Sequence, residues 1–179
     1  MHIINRTVLG LLVLSVALVV SPSVQAAQLI DVYIEGATQG HIQGDGTRPS
    51  HEDWIDAIEY HHLVSLPEGS SRLDHETIIF TKKIDRATPS LWRAMDNNEM
   101  LVEVKFHFWR PYGGGGEENH YRVVLAQARI VAIEPLSPRN DIAETAGISM
   151  TERIRISYAT MTVTWVDDGN EHTLTVDQH

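Results

Sequence analysis

The chain contains no cysteine. A disulfide framework, a thiol nucleophile and a cysteine zinc site are therefore excluded. Basic side chains are scarce: 14 Lys and Arg stand against 24 Asp and Glu in 179 residues, a formal net charge of −10. A nucleic-acid binder needs a basic face to neutralise phosphates, and this composition argues against one. Lys82-Lys83 is only a small basic spot. Catalytic signatures are missing too. HEDWI is not the HExxH zinc motif, no GxSxG elbow occurs, and PYGGGGEEN (111–119) opens neither a GK[ST] nor a helix. No spacing sets two carboxylates across a cleft, as a glycosidase needs.

What is present begins with a leader. MHIINRT carries one Arg, and VLGLLVLSVALVV is an unbroken run of apolar and small residues. SPSVQA then places Val24 and Ala26 where a signal peptidase reads small or aliphatic side chains. The run is shorter than the ~20 apolar residues of a membrane span. The expectation is a cleavable signal peptide over residues 1–26 and one domain over 27–179. The product is expected in the periplasm or the medium, with no stable membrane insertion after cleavage. The 42% hydrophobic content is enough for one domain with a real core.

The mature part reads as short strands with one helix. QLIDVYIE (28–35) sets Ile30, Val32 and Ile34 on an apolar face and Asp31 and Glu35 on a side expected in solvent. Residues 36–50 are Gly-rich and polar, hence a loop. LDHETIIFTKKI (73–84) reads as a strand. DRATPSLWRAMDNNE (85–99) predicts a helix: Thr88 as cap, Pro89 first, a stripe of Leu91, Trp92 and Met95, and Asn97 and Asn98 to end it. MLVEVKFHFWR (100–110) alternates Met100, Val102, Val104, Phe106 and Phe108 against Glu103, Lys105 and His107. HYRVVLAQARIVAIEPL (120–136) is apolar on both faces, as a central strand is. Residues 134–149 read as a loop. Residues 153–176 predict two strands around the Asp168-Gly169 turn. The sum is mainly antiparallel β, closed or sandwiched, with one helix packed on it.

Ten histidines are present. A metal-dependent hydrolase would use His61, His107 and His120, with His107 and His120 meeting across the Gly-rich hairpin. Scattered surface and wall histidines are the plainer reading, because metal sites require converging ligands. Trp54, Trp92, Trp109 and Trp165 fall one per element, as core anchors do. A binding module would instead line a pocket with some of them. Glu52, Asp53 and Asp56 read as a solvated face. HEDWIDAIEYHH (51–62) fits a helix stripe through Trp54, Ile58 and His61 as well as a strand.

Four segments in order carry a resemblance: HEDWIDAIEYHH after a Gly-rich loop, ETIIFTKKIDRATPSLWRAMDNNEMLVEVKFHFWR, ENHYRVVLAQARIVAIEPL and ERIRISYATMTVTW. Their order and spacing, above all FTKKIDRATPSLWRAMDNNE before an alternating strand, resemble the hemolysin-coregulated protein (Hcp) family of bacterial type VI secretion. The resemblance implies a small antiparallel β-barrel of two sheets with one side helix. It implies a non-enzymatic structural subunit, without cofactor or metal, that forms hexameric rings stacking into a hollow tube. Implied partners are other copies of the chain, effector proteins in the lumen, and the spike and sheath proteins of the machine. HEDWIDAIEYHH would enter a barrel strand, with Trp54, Asp56, Ile58, Tyr60 and His62 on one face and Ile55, Ala57, Glu59 and His61 on the other. SLPEGSSR (65–72) matches in position an extended loop that contacts the next ring, which makes Leu66, Pro67, Glu68 and Gly69 the candidate contact residues. Tube subunits assemble in the cytoplasm, whereas the leader implies export. An exported ring former and an exported monomeric binding module in the periplasm therefore both stay open.

Overall fold

The computed structural model describes residues 29–139, 141 and 147–176. The expected leader and part of the 134–149 loop lie outside the described residues. The elements are β1 (Leu29–Gly36), β2 (Gly40–His41), β3 (Ile55–His61), β4 (Val64–Ser65), β5 (Asp74–His75), β6 (Ile78–Lys83), α1 (Thr88–Asp96), β7 (Leu101–Tyr112), β8 (Gly116–Leu136), β9 (Thr151–Ser157), β10 (Thr160–Trp165) and β11 (Asn170–Thr175). Among the described residues no helix is long and apolar enough to cross a membrane.

The main sheet runs β11-β10-β8-β7-β1-β3-β6-β9, and β9 pairs back onto β8. The six strands from β8 round to β9 therefore close a barrel, and every pairing in it is antiparallel. β8 makes closure possible because it is 21 residues long and bent. Its first half pairs β10, from Tyr121↔Trp165 to Ala126↔Thr160. Its second half pairs β9 along the same edge, from Arg129↔Ser157 to Leu136↔Thr151. Gln127 lies between the halves with a left-handed φ of 52°. The opposite run breaks at Tyr158-Ala159 to follow it. Residues 153–176 thus hold the end of β9 as well as the expected β10–β11 hairpin.

Inward residues fill the barrel: Ile30, Val32 and Ile34 of β1, Val104, Phe106 and Phe108 of β7, and Ile154 and Ile156 of β9 are buried. Phe106 meets Tyr60 and Phe80 edge-on, with centroids 5.0 and 5.6 Å apart. The loop after β2 lies close to the wall because Gly44 allows it. A Cβ there would stand 2.4 Å from the Trp54 carbonyl oxygen.

Several expectations are corrected. Ala87, not Thr88, holds the cap position of α1, and the Ala87 N–H donates to Asp85 Oδ1 at 2.8 Å. The buried face is Ala87, Leu91 and Ala94, at i, i+4 and i+7, which leaves Trp92 exposed. Asn98, with φ 48°, does end the helix left-handed. LDHETIIFTKKI splits into β5 and β6.

The strict alternation expected of β3 and β7 fails at β-bulges. Against β1, β7 steps from Leu101 to Glu103 while its partner moves one residue, so Val102 is in excess. Against β6, β3 steps from Ala57 to Glu59, so Ile58 is in excess. Against β9, β8 steps from Ile130 to Ala132, so Val131 is in excess. An excess residue has no ladder partner and turns outward. Val102 and Val131 are each 49% exposed and Ile58 is 55% exposed. Leu101, not Met100 or Val102, is buried, and Ile55, Ala57 and Tyr60 pack inward.

Candidate functional site

β4 and β5 form a ribbon of their own, with Val64 opposite His75 and Ser65 opposite Asp74. The ribbon carries the candidate loop. Leu66, Pro67, Glu68 and Gly69 are all exposed, Leu66 to 60%. The Ser70 N–H donates to the Pro67 carbonyl at 3.0 Å, and Gly69 adopts a φ of 76° that glycine takes without strain. Leu63 and Leu73 are exposed nearby. At the ribbon's base the buried Tyr158 hydroxyl lies 2.8 Å from His62 Nε2 and 3.2 Å from His75 Nδ1. A hydroxyl has one proton, so it donates to one imidazole and accepts from the other. Burial lowers the His62 pKa and pushes Tyr158 up to about 12. The ribbon is thus a polar-anchored loop that holds Leu66, Pro67 and Leu73 in solvent among Glu68, Ser71 and Arg72.

Polar chemistry elsewhere is structural. Lys82, half of the small basic spot in the sequence, is fully buried. Its ammonium reaches Glu152 at 2.8 Å and Asp85 at 2.6 Å. The Thr88 hydroxyl donates to Glu152 Oε1 at 2.7 Å, which ties α1 to β9. Asp31, expected in solvent, is buried and accepts from Arg48 Nε at 2.8 Å. Glu99 Oε1 accepts the Thr38 and Gln39 N–H groups at 2.7 and 2.8 Å. Burial would raise its pKa, yet these bonds hold it below the usual carboxylate value.

The histidines do not form the triad considered above. His107 Nδ1 lies 2.8 Å from His51 Nε2. Burial first, then Arg122 and His51, lower the His107 pKa to about 4. His120 is in excess between Tyr121 and Asn119 against β7 and packs on Trp165 instead. Among the described residues no three acidic or histidine side chains converge as metal ligands. The tryptophans are not core anchors either. Trp54 and Trp109 are half-buried around His51 on the outer wall, and Trp92 and Trp165 are exposed.

A groove of about 750 Å³ opens beside β1, β3 and the residues after β6, where Leu29, Ile58 and Ile84 meet Asp31, Asp45 and Asp56. No tryptophan lines it. Burial raises the Asp56 pKa; Arg48 opposes this, and Asp85 and Asp45 add to it.

The profile of the family described as "Type VI secretion system effector, Hcp" matches residues 32–165. The chain belongs to the Hcp family. A relative named "Major exported protein", from Pseudomonas aeruginosa, is 26% identical over 135 residues, covering 72% of this chain and 78% of its own. The solved structure "Crystal structure of Hcp protein" superposes with a TM-score of 0.79 at 26% identity over 86% of this chain and all of the other. The secreted protein Hcp3 of Pseudomonas aeruginosa, at 24% identity, shares the fold with a TM-score of 0.71 over 85% of this chain and 100% of its own. The expected Hcp-like barrel with one helix is the fold observed, and the family is a structural family of type VI secretion rather than an enzyme family.

Proposed function

We propose that the mature domain is a structural subunit that forms hexameric rings, that the rings stack into a tube, and that the tube carries or accompanies secreted effectors. Leu66, Pro67, Glu68 and Gly69 make the ring-to-ring contact in this reading. The supporting observation is the β4–β5 ribbon. It stands apart from the barrel sheet and holds Leu66 and Pro67 in solvent. A monomer gains nothing from that exposure, whereas a stacked ring buries it. Export through the leader over 1–26 completes the reading, with spike and sheath proteins of the same machine as further partners.

Light scattering after size exclusion on residues 27–179 tests it. A mass six times that of one chain is the expected result. A single-chain mass at every concentration tried would end the ring reading.

A further inference from the structure

We infer that His62, His75 and Tyr158 form a binding site for one divalent transition-metal ion of the zinc type at the base of the β4–β5 ribbon. The site is independent of the ring reading above.

Three segments of the chain meet there. His62 lies in the link from β3 to β4, His75 ends β5, and Tyr158 lies in the break between β9 and β10. The Tyr158 hydroxyl is 2.8 Å from His62 Nε2 and 3.2 Å from His75 Nδ1. Two imidazoles that converge on one phenol oxygen make a donor set of two nitrogens and one oxygen. The chain has no cysteine, so it offers no thiolate to a competing softer site. Imidazole nitrogens suit zinc, copper, iron and nickel. Zinc takes two nitrogens and an oxygen with water in the fourth position.

His62 already has the tautomer of a metal ligand. Its ring also hydrogen-bonds the Glu76 backbone, a contact that favours protonation of the ring. With Nε2 on the hydroxyl, Nδ1 is the nitrogen that donates to the Glu76 carbonyl. Ligand histidines give their other N–H to a carbonyl or carboxylate in the same way, which fixes the ring and aims the free lone pair at the ion. Burial, the largest influence on His62, lowers its pKa and keeps the ring in the neutral form that binds metal. His75 needs only to carry its proton on Nε2.

Access and reach are also present. Tyr158 is buried, whereas His62 and His75 are half-buried, so an ion enters from the histidine side. Ligation at ~2.0–2.1 Å draws the two rings closer together than they stand around the hydroxyl. The ribbon can follow, because β4 and β5 pair only with each other. The ion then joins the ribbon to the barrel through two side chains of the ribbon and one of the wall.

The test titrates zinc chloride by calorimetry into residues 27–179, made without a histidine tag and stripped with chelator. Wild type is compared with His62→Gln, His75→Gln, Tyr158→Phe and His172→Gln, with circular dichroism to show that each is folded. His172 is exposed on β11 and serves as the control. One zinc per chain is expected for wild type and His172→Gln. Loss of an outer-shell partner alone weakens a metal site ~10–100-fold, so each of the other three variants is expected to bind at least ~10-fold more weakly. Amide exchange of wild type gives a readout that needs no variant: residues 63–75 are expected to exchange more slowly with zinc. Unchanged affinity in any of the three site variants would mean an adventitious ion only, held by other side chains, and would overturn the site. So would a wild type that takes no zinc, or zinc that leaves the exchange of residues 63–75 as it was.

Discussion

Lys82 is fully buried between the buried Glu152 and the half-buried Asp85. Lys82→Met removes the charge and leaves both acids in the barrel end. The expected loss is ~3–5 kcal/mol, the usual cost of breaking a buried pair, read as a lower urea midpoint. His107 makes stability depend on pH. Its folded pKa of about 4 lies below the ordinary ~6.5 of imidazole. The unfolded chain therefore takes the proton first as pH falls, and stability present at neutral pH is lost between about 6.5 and about 4. His107→Gln should flatten that part of the profile in urea titrations at pH 7 and about 4.5, and an unchanged slope would assign the dependence to another group. Neither role was legible in the residues themselves. The FTKKI stretch gives no sign of which lysine turns inward, because that depends on the register with β9.

At the scale of elements, the ribbon and the bulges matter most. Leu66→Glu changes an exposed tip residue, so stability should move by less than ~0.5 kcal/mol. Ring stacking, seen as lengths beyond one ring in electron micrographs, should be lost. Stacks of normal length would remove the tip from the contact. Strand and helix existence was legible from periodicity: β1, β7, β8, α1 and the β10–β11 hairpin all lie where the pattern puts them. Which side chains face inward was not legible across Ile58 or Val102. A period of two holds on each side of a bulge, but the excess residue shifts the phase by one. Trp92 was misplaced for a related reason. One residue of rotation about α1 separates the buried face from the exposed one, and the packing of Ala87, Leu91 and Ala94 sets that rotation.

Across the whole molecule, stability is expected to follow the closed order of strands. β1, β7 and β8 are flanked on both edges, whereas β11 pairs only β10 and is largely exposed. Amide exchange should be slowest in β1, β7 and the middle of β8, and fastest in β11 and the β4–β5 ribbon. Equal protection of β11 and β7 would mean that the hairpin folds with the barrel as one unit. The barrel class and the family followed from residues alone, because alternation, turn chemistry and the order of four segments are properties of the chain. So did the exclusion of thiol chemistry, since it depends on composition only. Closure of β9 onto β8 and burial of Lys82, Glu152 and Asp31 belong to the tertiary structure. Each depends on residues far apart in the chain meeting across a sheet, and a bend at Gln127 or one excess residue in a strand decides which ones meet.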